Sequence, residues 1–206
     1  MIADDHAVVR RGLREILHDE PDLKIVAEAT NAQEVLELLR KKPCDVMLLD
    51  ITMPGKSGIE VLKDIKLEHP KLHVLLLSMH PEGQYAIRAL RSGAAGYITK
   101  EAAPEELVRA IRKVYCGGKY VSASLAEQLA EDLEAPAFRS THEVLSNREF
   151  EVLRQIASGK TMSQIAEAMS LSVKTISTYR SRILEKLKLK TTAQLMHFAI
   201  ENKLVE

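Results

Sequence analysis

The sequence predicts an α/β protein: an open, doubly wound parallel sheet of five strands followed by a small all-α domain. Three observations carry this. Short β-rich runs alternate with amphipathic stretches from Met1 to Cys116, no strand pattern occurs after Leu145, and a stretch with Pro136 and no helical period separates the two regimes. At 206 residues the chain has room for two modest domains.

Strand patterns fall at Met1–Ala3, Lys24–Ala29, Asp45–Leu49, His73–Ser78 and Gly96–Ile98. The continuous apolar run Val46-Met47-Leu48-Leu49 suits a strand covered on both faces, as in parallel sheets. Between the strands lie helical patterns near Ala7–Leu17, Ala32–Lys41, Ile59–Glu68, Gln84–Arg91 and Pro104–Cys116. Pro104 and the pair Gly117-Gly118 are start and stop signals for the last of these. One more helix is predicted at Ser124–Leu133, within a linker spanning 118–144. The predicted domains are therefore 1–117 and 145–206. The second holds helices near Asn147–Ala157, Met162–Met169, Val173–Leu187 and Thr192–Asn202, and the short Leu171-Ser172 turn gives the middle pair helix-turn-helix geometry.

Hydrophobic residues make up 46% and charged residues 28%, with no apolar run long enough to span a bilayer. Asp4 and Asp5 follow the start at once, which leaves no secretory h-region. Cys44 and Cys116 form no metal-ligand cluster and suit a reducing compartment. A cytoplasmic protein with no membrane partner is expected. The net charge of +0 is unevenly spread: residues 1–116 carry 17 Lys+Arg against 18 Asp+Glu, 117–144 carry 2 against 5, and 145–206 carry 10 against 6. A basic end points to a polyanion, although an imbalance this small carries little weight alone.

Chemistry concentrates at the strand ends, where open parallel sheets bind ligands. Asp4-Asp5 follow the first strand, Asp50 ends the third, Ser78 ends the fourth and Lys100 follows the fifth. Three converging carboxylates repel unless a cation joins them, and a hard, octahedral ion such as Mg²⁺ meets that need. A lysine and a hydroxyl at the same edge match the oxygens of a phosphoryl group. Each residue alone is more simply read as a helix cap, a turn or a solvated cation. Their arrival together at successive strand ends is what favours a carboxylate that accepts phosphate with metal assistance.

Ile2-Ala3-Asp4-Asp5-His6, Leu49-Asp50-Ile51-Thr52-Met53-Pro54-Gly55 and Gly93-Ala94-Ala95-Gly96-Tyr97-Ile98-Thr99-Lys100 resemble the signature segments of two-component receiver domains. The resemblance implies a flavodoxin-like sheet and a role for each residue. Asp50 is the phosphoacceptor, Asp5 and Asp50 bind Mg²⁺ directly, Asp4 acts mainly through water, and Thr52 adds its backbone carbonyl. Lys100 pairs with the phosphoryl group. Ser78 and Tyr97 form the switch pair, the hydroxyl moving toward the phosphoryl while the ring turns inward. His80 lies where the family tunes dephosphorylation. The physics agrees, since phosphorylation adds close to two negative charges beside an existing donor.

One departure concerns the start. Only Met1-Ile2-Ala3 precede the acid pair, whereas an ordinary strand runs ~5–6 residues, and the resemblance makes this strand the central one. An N-terminus that begins inside the strand is the favoured expectation. The alternative is a complete chain whose first strand pairs poorly, with reduced thermal stability.

In the basic end, Ser146 with Glu149 three residues on forms a capping box. Phe150, Leu153, Ile156, Ile165, Ala166, Met169, Ile176, Ile183, Leu184 and Leu187 recur at helical spacing and suit one small core. The third helix carries Lys174, Arg180, Arg182 and Lys186 against Glu185 alone, which charge by itself reads equally well as a solvated face. Ser163-Gln164-Ile165-Ala166, Leu171 through Arg180 and Ile183-Leu184-Glu185-Lys186-Leu187 resemble the LuxR-type DNA-binding domain. Joined to a receiver, this is similar to the NarL/FixJ family of transcriptional regulators. The resemblance implies that the third helix enters the major groove of double-stranded DNA. Ser177, Thr178 and Ser181 then face base edges, while Lys174, Thr175, Arg180 and Arg182 hold phosphates, with Lys160 and Ser163 as further phosphate contacts. Tyr179 stands where family members often have histidine.

The implied function is that of a response regulator: a sensor histidine kinase phosphorylates Asp50, and the population shifts toward a DNA-binding state that dimerises. The implied partners are that kinase, DNA, a second copy of the chain and RNA polymerase. Beyond its own phosphoryl transfer and slow autodephosphorylation the chain is expected not to be an enzyme. A phosphatase-like hydrolase is the main rival, but such enzymes place a second acid two residues after the nucleophile, where this chain has Thr52. A degenerate receiver used only for protein contacts is disfavoured because every phosphorylation residue is present.

Overall fold

The computed structural model describes residues 1–54, 56–79, 83–134, 144–169, 171–202 and 204. It divides into two compact units, Met1–Glu134 and Ala135–Glu206.

The first unit is a five-stranded sheet of β1 (Ile2–Ala3), β2 (Glu28–Ala29), β3 (Val46–Asp50), β4 (His73–Ser78) and β5 (Gly96–Thr99). Strand order is β2-β1-β3-β4-β5 and every pairing is parallel. The helices are α1 (Ala7–His18), α2 (Ala32–Lys41), α3 (Gly58–Glu68), α4 (Gly83–Arg91), α5 (Pro104–Tyr115) and α6 (Ala123–Glu134). The alternation of patterns predicts this parallel sheet, and its strand order is the flavodoxin-like one that the resemblance implies. Leu48, Leu75, Leu77 and Ile98 pack with Leu13, Leu17, Leu107 and Ile111 of α1 and α5. Their alternates Met47, Leu49, Leu76 and Tyr97 are buried as well, so both faces of the sheet are covered. Pro104 occupies the first turn of α5, and Gly117 beyond its end takes a φ of 83°, open to glycine at no steric cost.

Two strand expectations need correction. β1 is an interior strand between β2 and β3, and β3 holds the middle of the sheet. β2 begins only at Glu28, because β1 has two residues and these pair with Glu28 and Ala29. The Met1 ammonium donates to Val46 O at 2.9 Å, and burial lowers its pKa. A cavity of about 370 Å³ opens at this end of the sheet, lined by Leu23, Ile25, Val26, Val46 and Leu48 among others.

The second unit contains α7 (Asn147–Ala157), α8 (Met162–Ala168), α9 (Val173–Lys186) and α10 (Thr192–Glu201). Side-chain caps start all four: Ser146, Thr161 and Thr191 form capping boxes with Glu149, Gln164 and Gln194, and Ser172 caps α9. Phe150, Leu153, Ile165, Ile176, Ile183, Leu195 and Ala199 are buried together; Leu184, expected in this core, is half-buried. Linker residues 135–143 lie outside the described residues.

Candidate functional site

The chain adds β1 beside β2 and then β3 on the opposite side of β1, so the carboxyl ends of β1 and β3 flank the crevice where such sheets bind ligands. Asp4 leaves β1 into that crevice with its N–H donating to Ala29 O at 3.1 Å and its carbonyl accepting from Arg10 at 2.8 Å. Asp50 ends β3, and Ile51 N–H donates to Leu77 O at 3.0 Å, which ties the loop to β4. The loop then folds back, Gly58 N–H donating to Ile51 O at 2.8 Å. A Cβ at Gly58 would stand 2.1 Å from Asp50 O, so only glycine lets α3 start against the end of β3. Ser57 and Glu60 fix that start with a capping box.

The structure brings the predicted acid and lysine residues together. Asp4 and Asp50 are buried, and the Lys100 side chain is 5% exposed. Lys100 Nζ stands 2.7 Å from Asp4 Oδ2 and 2.9 Å from Asp50 Oδ2. Thr52 N–H donates to Asp50 Oδ1 at 3.2 Å, which sets Thr52 beside the carboxylate. Ser78 is buried at the end of β4, opposite Thr99 of β5, and Lys100 N–H donates to Ser78 O at 2.8 Å. Tyr97 is fully buried on β5, two residues before Thr99. His80 lies outside the described residues.

Electrostatics follow from this crowding. Burial pushes the Asp50 carboxyl above its ordinary range; Lys100 opposes that shift and Asp4 adds to it. Burial would lower Lys100, but its contact with Asp4 and the charge of Asp50 outweigh it and hold the ammonium above its usual value. Asp5 Oδ1 is buried with no hydrogen-bond partner, and the buried Asp4 Oδ2 and Asp50 Oδ2 both face the Lys100 ammonium. Three oxygens of one charge facing one crevice form a donor set that fits a small, oxygen-seeking divalent cation. One ligand atom from each of Asp4, Asp5, His6 and Asp50 lies within 4.8 Å of the others. His6 and Gly58 are site residues that the sequence reading did not single out. The first sits beside the acid pair in the motif, whereas the need for glycine at 58 depends on a tertiary contact.

On the second unit, Lys160, Ser163, Lys174, Ser177, Thr178, Ser181 and Arg182 are exposed. At about 3.6 residues per turn, Lys174, Ser177, Thr178 and Ser181 share the face of α9 opposite the buried Ile176 and Ile183. Thr178 and Ser181 hydroxyls donate to Lys174 O at 3.0 Å and Ser177 O at 3.1 Å. Thr175 is half-buried and shares a 2.8 Å hydrogen bond with Ser172. Arg180 lies on the flank, its Nε donating to Thr192 Oγ1 of α10 at 2.8 Å. Lys186 Nζ donates to Glu149 Oε2 at 2.7 Å while its side chain stays 41% exposed. Burial would raise Glu149, but Lys186 and the Ser146 cap hold its carboxyl below the usual range. Among the described residues no helix is long and apolar enough to cross a membrane.

A parallel sheet with an acid crevice and a lysine, followed by a separate four-helix unit with a polar, basic third helix, defines a signalling receiver joined to a DNA-binding module. Comparison with known proteins agrees on both parts. Residues 1–112 match the response regulator receiver domain, and residues 143–199 match the luxR family of bacterial regulatory proteins. The chain belongs to the two-component response regulators of the NarL/FixJ family, which are DNA-binding transcription regulators. It is 36% identical over 205 residues to the response regulator UvrY of Escherichia coli, covering 99% of this chain and 94% of that protein. It is 38% identical over 213 residues to the oxygen regulatory protein NreC of Staphylococcus aureus, covering 100% of this chain and 98% of the relative. Among solved structures, RcsB from Salmonella enterica serovar Typhimurium bound to promoter rprA with phosphomimetic BeF3- is similar at a TM-score of 0.63. That chain is 28% identical, with 96% of this chain and 95% of the other covered.

Proposed function

We propose that Asp50 accepts a phosphoryl group from a sensor histidine kinase and that its phosphorylation governs DNA binding through α9. The observation that carries this reading is the convergence of Asp4, Asp5, Asp50 and Lys100 in one crevice, with both Lys100 ion-pair distances under 3 Å. In the transfer, an Asp50 oxygen bonds to phosphorus while the bond from phosphorus to the donor's ring nitrogen breaks, and a proton ends on the departing imidazole. Asp5, Asp50 and the Thr52 carbonyl would hold Mg²⁺, with Asp4 acting through water; the ion supplies neutralisation of phosphoryl charge. Lys100, already clamped between two carboxylates, supplies a fixed cation to the phosphoryl oxygens. Ser78 and Tyr97 act as the switch pair, the hydroxyl moving toward the new oxygens and the ring turning inward behind it.

DNA contacts are assigned to Lys160, Ser163, Lys174, Thr175, Ser177, Thr178, Arg180, Ser181 and Arg182. Small hydroxyls discriminate bases weakly, so part of the specificity is read from DNA shape. The domain division at 117 and 144, a dimer on phosphorylated protein, contact with RNA polymerase, slow autodephosphorylation and a cytoplasmic setting complete the proposal. The free Cys44 and Cys116 support that setting.

Exposure to a small phosphodonor with Mg²⁺ tests the central step. A stable mass gain of one phosphoryl group, lost in Asp50→Ala, is expected. Phosphate release over many turnovers would instead make the chain a hydrolase.

A further inference from the structure

β5 is an edge strand, and the chain itself covers part of that edge after it leaves α5. Tyr120 pairs in parallel with Gly96: its N–H donates to Ala95 O at 2.9 Å, and its carbonyl accepts from Tyr97 N–H at 3.4 Å. A Cβ at Gly96 would stand 2.6 Å from Tyr120 O and 2.8 Å from Tyr120 Cβ, so the pairing depends on glycine there. α5 holds the side chain of the same residue. The Tyr120 hydroxyl donates to Glu106 Oε1 at 2.6 Å, and Lys113 Nζ lies 5.9 Å from the ring centre. Two residues on, Ser122 starts α6: its hydroxyl accepts from Leu125 N–H at 3.1 Å and its carbonyl from Ala126 N–H at 3.0 Å. Leu125 is buried, and α6 packs against α4.

We infer that Tyr120 is a positioning residue that ties the linker helix to the strand carrying Tyr97, so that rearrangement at phosphorylated Asp50 reaches the segment leading to the DNA-binding unit. The inference rests on the reading of Asp50 and the Ser78–Tyr97 pair given above. A contiguous route of bonded and packed groups is what carries coupling between distant sites. Here the route runs from Leu76 and Ser78 on β4 to Tyr97 and Thr99 on β5, from Tyr97 N–H to the Tyr120 carbonyl, and through Ser122 to α6. A one-residue bridge has two backbone bonds, and one of these is long. The hydroxyl bond to Glu106 keeps Tyr120 seated against Gly96, so that α6 follows β5 instead of detaching from it. A cover for the sheet edge with no part in signalling would use the same contacts but would show in stability alone.

The test measures the affinity of the full chain for a DNA duplex selected from random sequence, at fixed salt, with and without acetyl phosphate and Mg²⁺. In Tyr120→Phe and in Glu106→Ala the phosphodonor should tighten binding by about threefold or less, against about tenfold in the parent. Phosphoryl uptake by mass, and affinity without the phosphodonor, should stay at the parent's level in both. Glu106→Gln, whose amide oxygen still accepts from the tyrosine, should keep the parent's response. The double variant Tyr120→Phe/Glu106→Ala should fall no further than either single one, because each removes the same bond. A response in Tyr120→Phe as large as the parent's, a response in Glu106→Gln as weak as that of Glu106→Ala, or loss of phosphoryl uptake in Tyr120→Phe would each overturn the inference and leave Tyr120 a cover for the sheet edge. A parent that takes up the phosphoryl group and shows no tightening would remove the reading of Asp50 control itself, and the inference with it.

Discussion

Asp50 illustrates how one residue serves two opposed demands. Its carboxylate must be buried to be shielded and aimed, yet burial pushes its pKa up even with Lys100 at 2.9 Å. A raised folded-state pKa means that the native protein binds this proton more tightly than the unfolded chain does. The resulting stability is present below the ordinary carboxylate range and is lost as pH rises through the raised value. Near neutral pH without divalent ion, Asp50→Asn is therefore expected to melt a few degrees higher than the parent, since Lys100 keeps Asp4 as its partner. Mg²⁺ at about 100 times its Kd should stabilise the parent by ~2.7 kcal/mol and the variant much less. Differential scanning calorimetry at two pH values checks both; a lower melting temperature for Asp50→Asn would contradict the account. At this scale the sequence was informative where chemistry is carried by residue type. Asp4, Asp5, Asp50 and Lys100 stood at strand ends, and strand ends converge in a parallel sheet. It was silent on Gly58, whose role depends on how closely α3 approaches the Asp50 carbonyl.

At the level of secondary structure, helices were legible nearly to the residue because their ends carry local signals. Ser146, Thr161 and Thr191 with their partners three residues on are contacts within one turn. Strands were less so, since pairing is set by the neighbour. The apolar run Lys24–Ala29 contains a good pattern, but only Glu28 and Ala29 find a ladder beside the two residues of β1. The cavity next to Lys24–Val26 makes this testable. A variant carrying four or five apolar residues before Met1 would lengthen β1 and bury about two side chains there, worth roughly 3 kcal/mol in total. Its melting temperature should rise by roughly 5–10 °C. No rise would mean that the cavity does not accept a strand. Charge patterning on α9 also needed the structure, because Lys186, although exposed, is spent on Glu149 and Arg180 on Thr192, whereas Lys174 and Arg182 are exposed outside those contacts. Lys174→Ala is accordingly expected to weaken binding to all DNA sequences alike and to lower the salt slope by about one. An unchanged slope in a salt titration would take Lys174 off the phosphates.

For the molecule as a whole, the family match spans both parts of the chain and gives the pairing of a receiver with a LuxR-type domain. The acid crevice supports phosphorylation by its own chemistry, and the exposed face of α9 supports DNA binding. Control of one by the other is the claim that most needs measurement, because it is a difference between two populations rather than a contact. The direct test is the affinity of the full chain for its promoter DNA at fixed salt, with and without a small phosphodonor and Mg²⁺, in the parent and in Asp50→Ala. The account predicts that the phosphodonor tightens binding by tenfold or more, on the order of 1.4 kcal/mol, in the parent and has no effect in Asp50→Ala. Equal affinity with and without the phosphodonor, in a parent shown by mass to be phosphorylated, would contradict it.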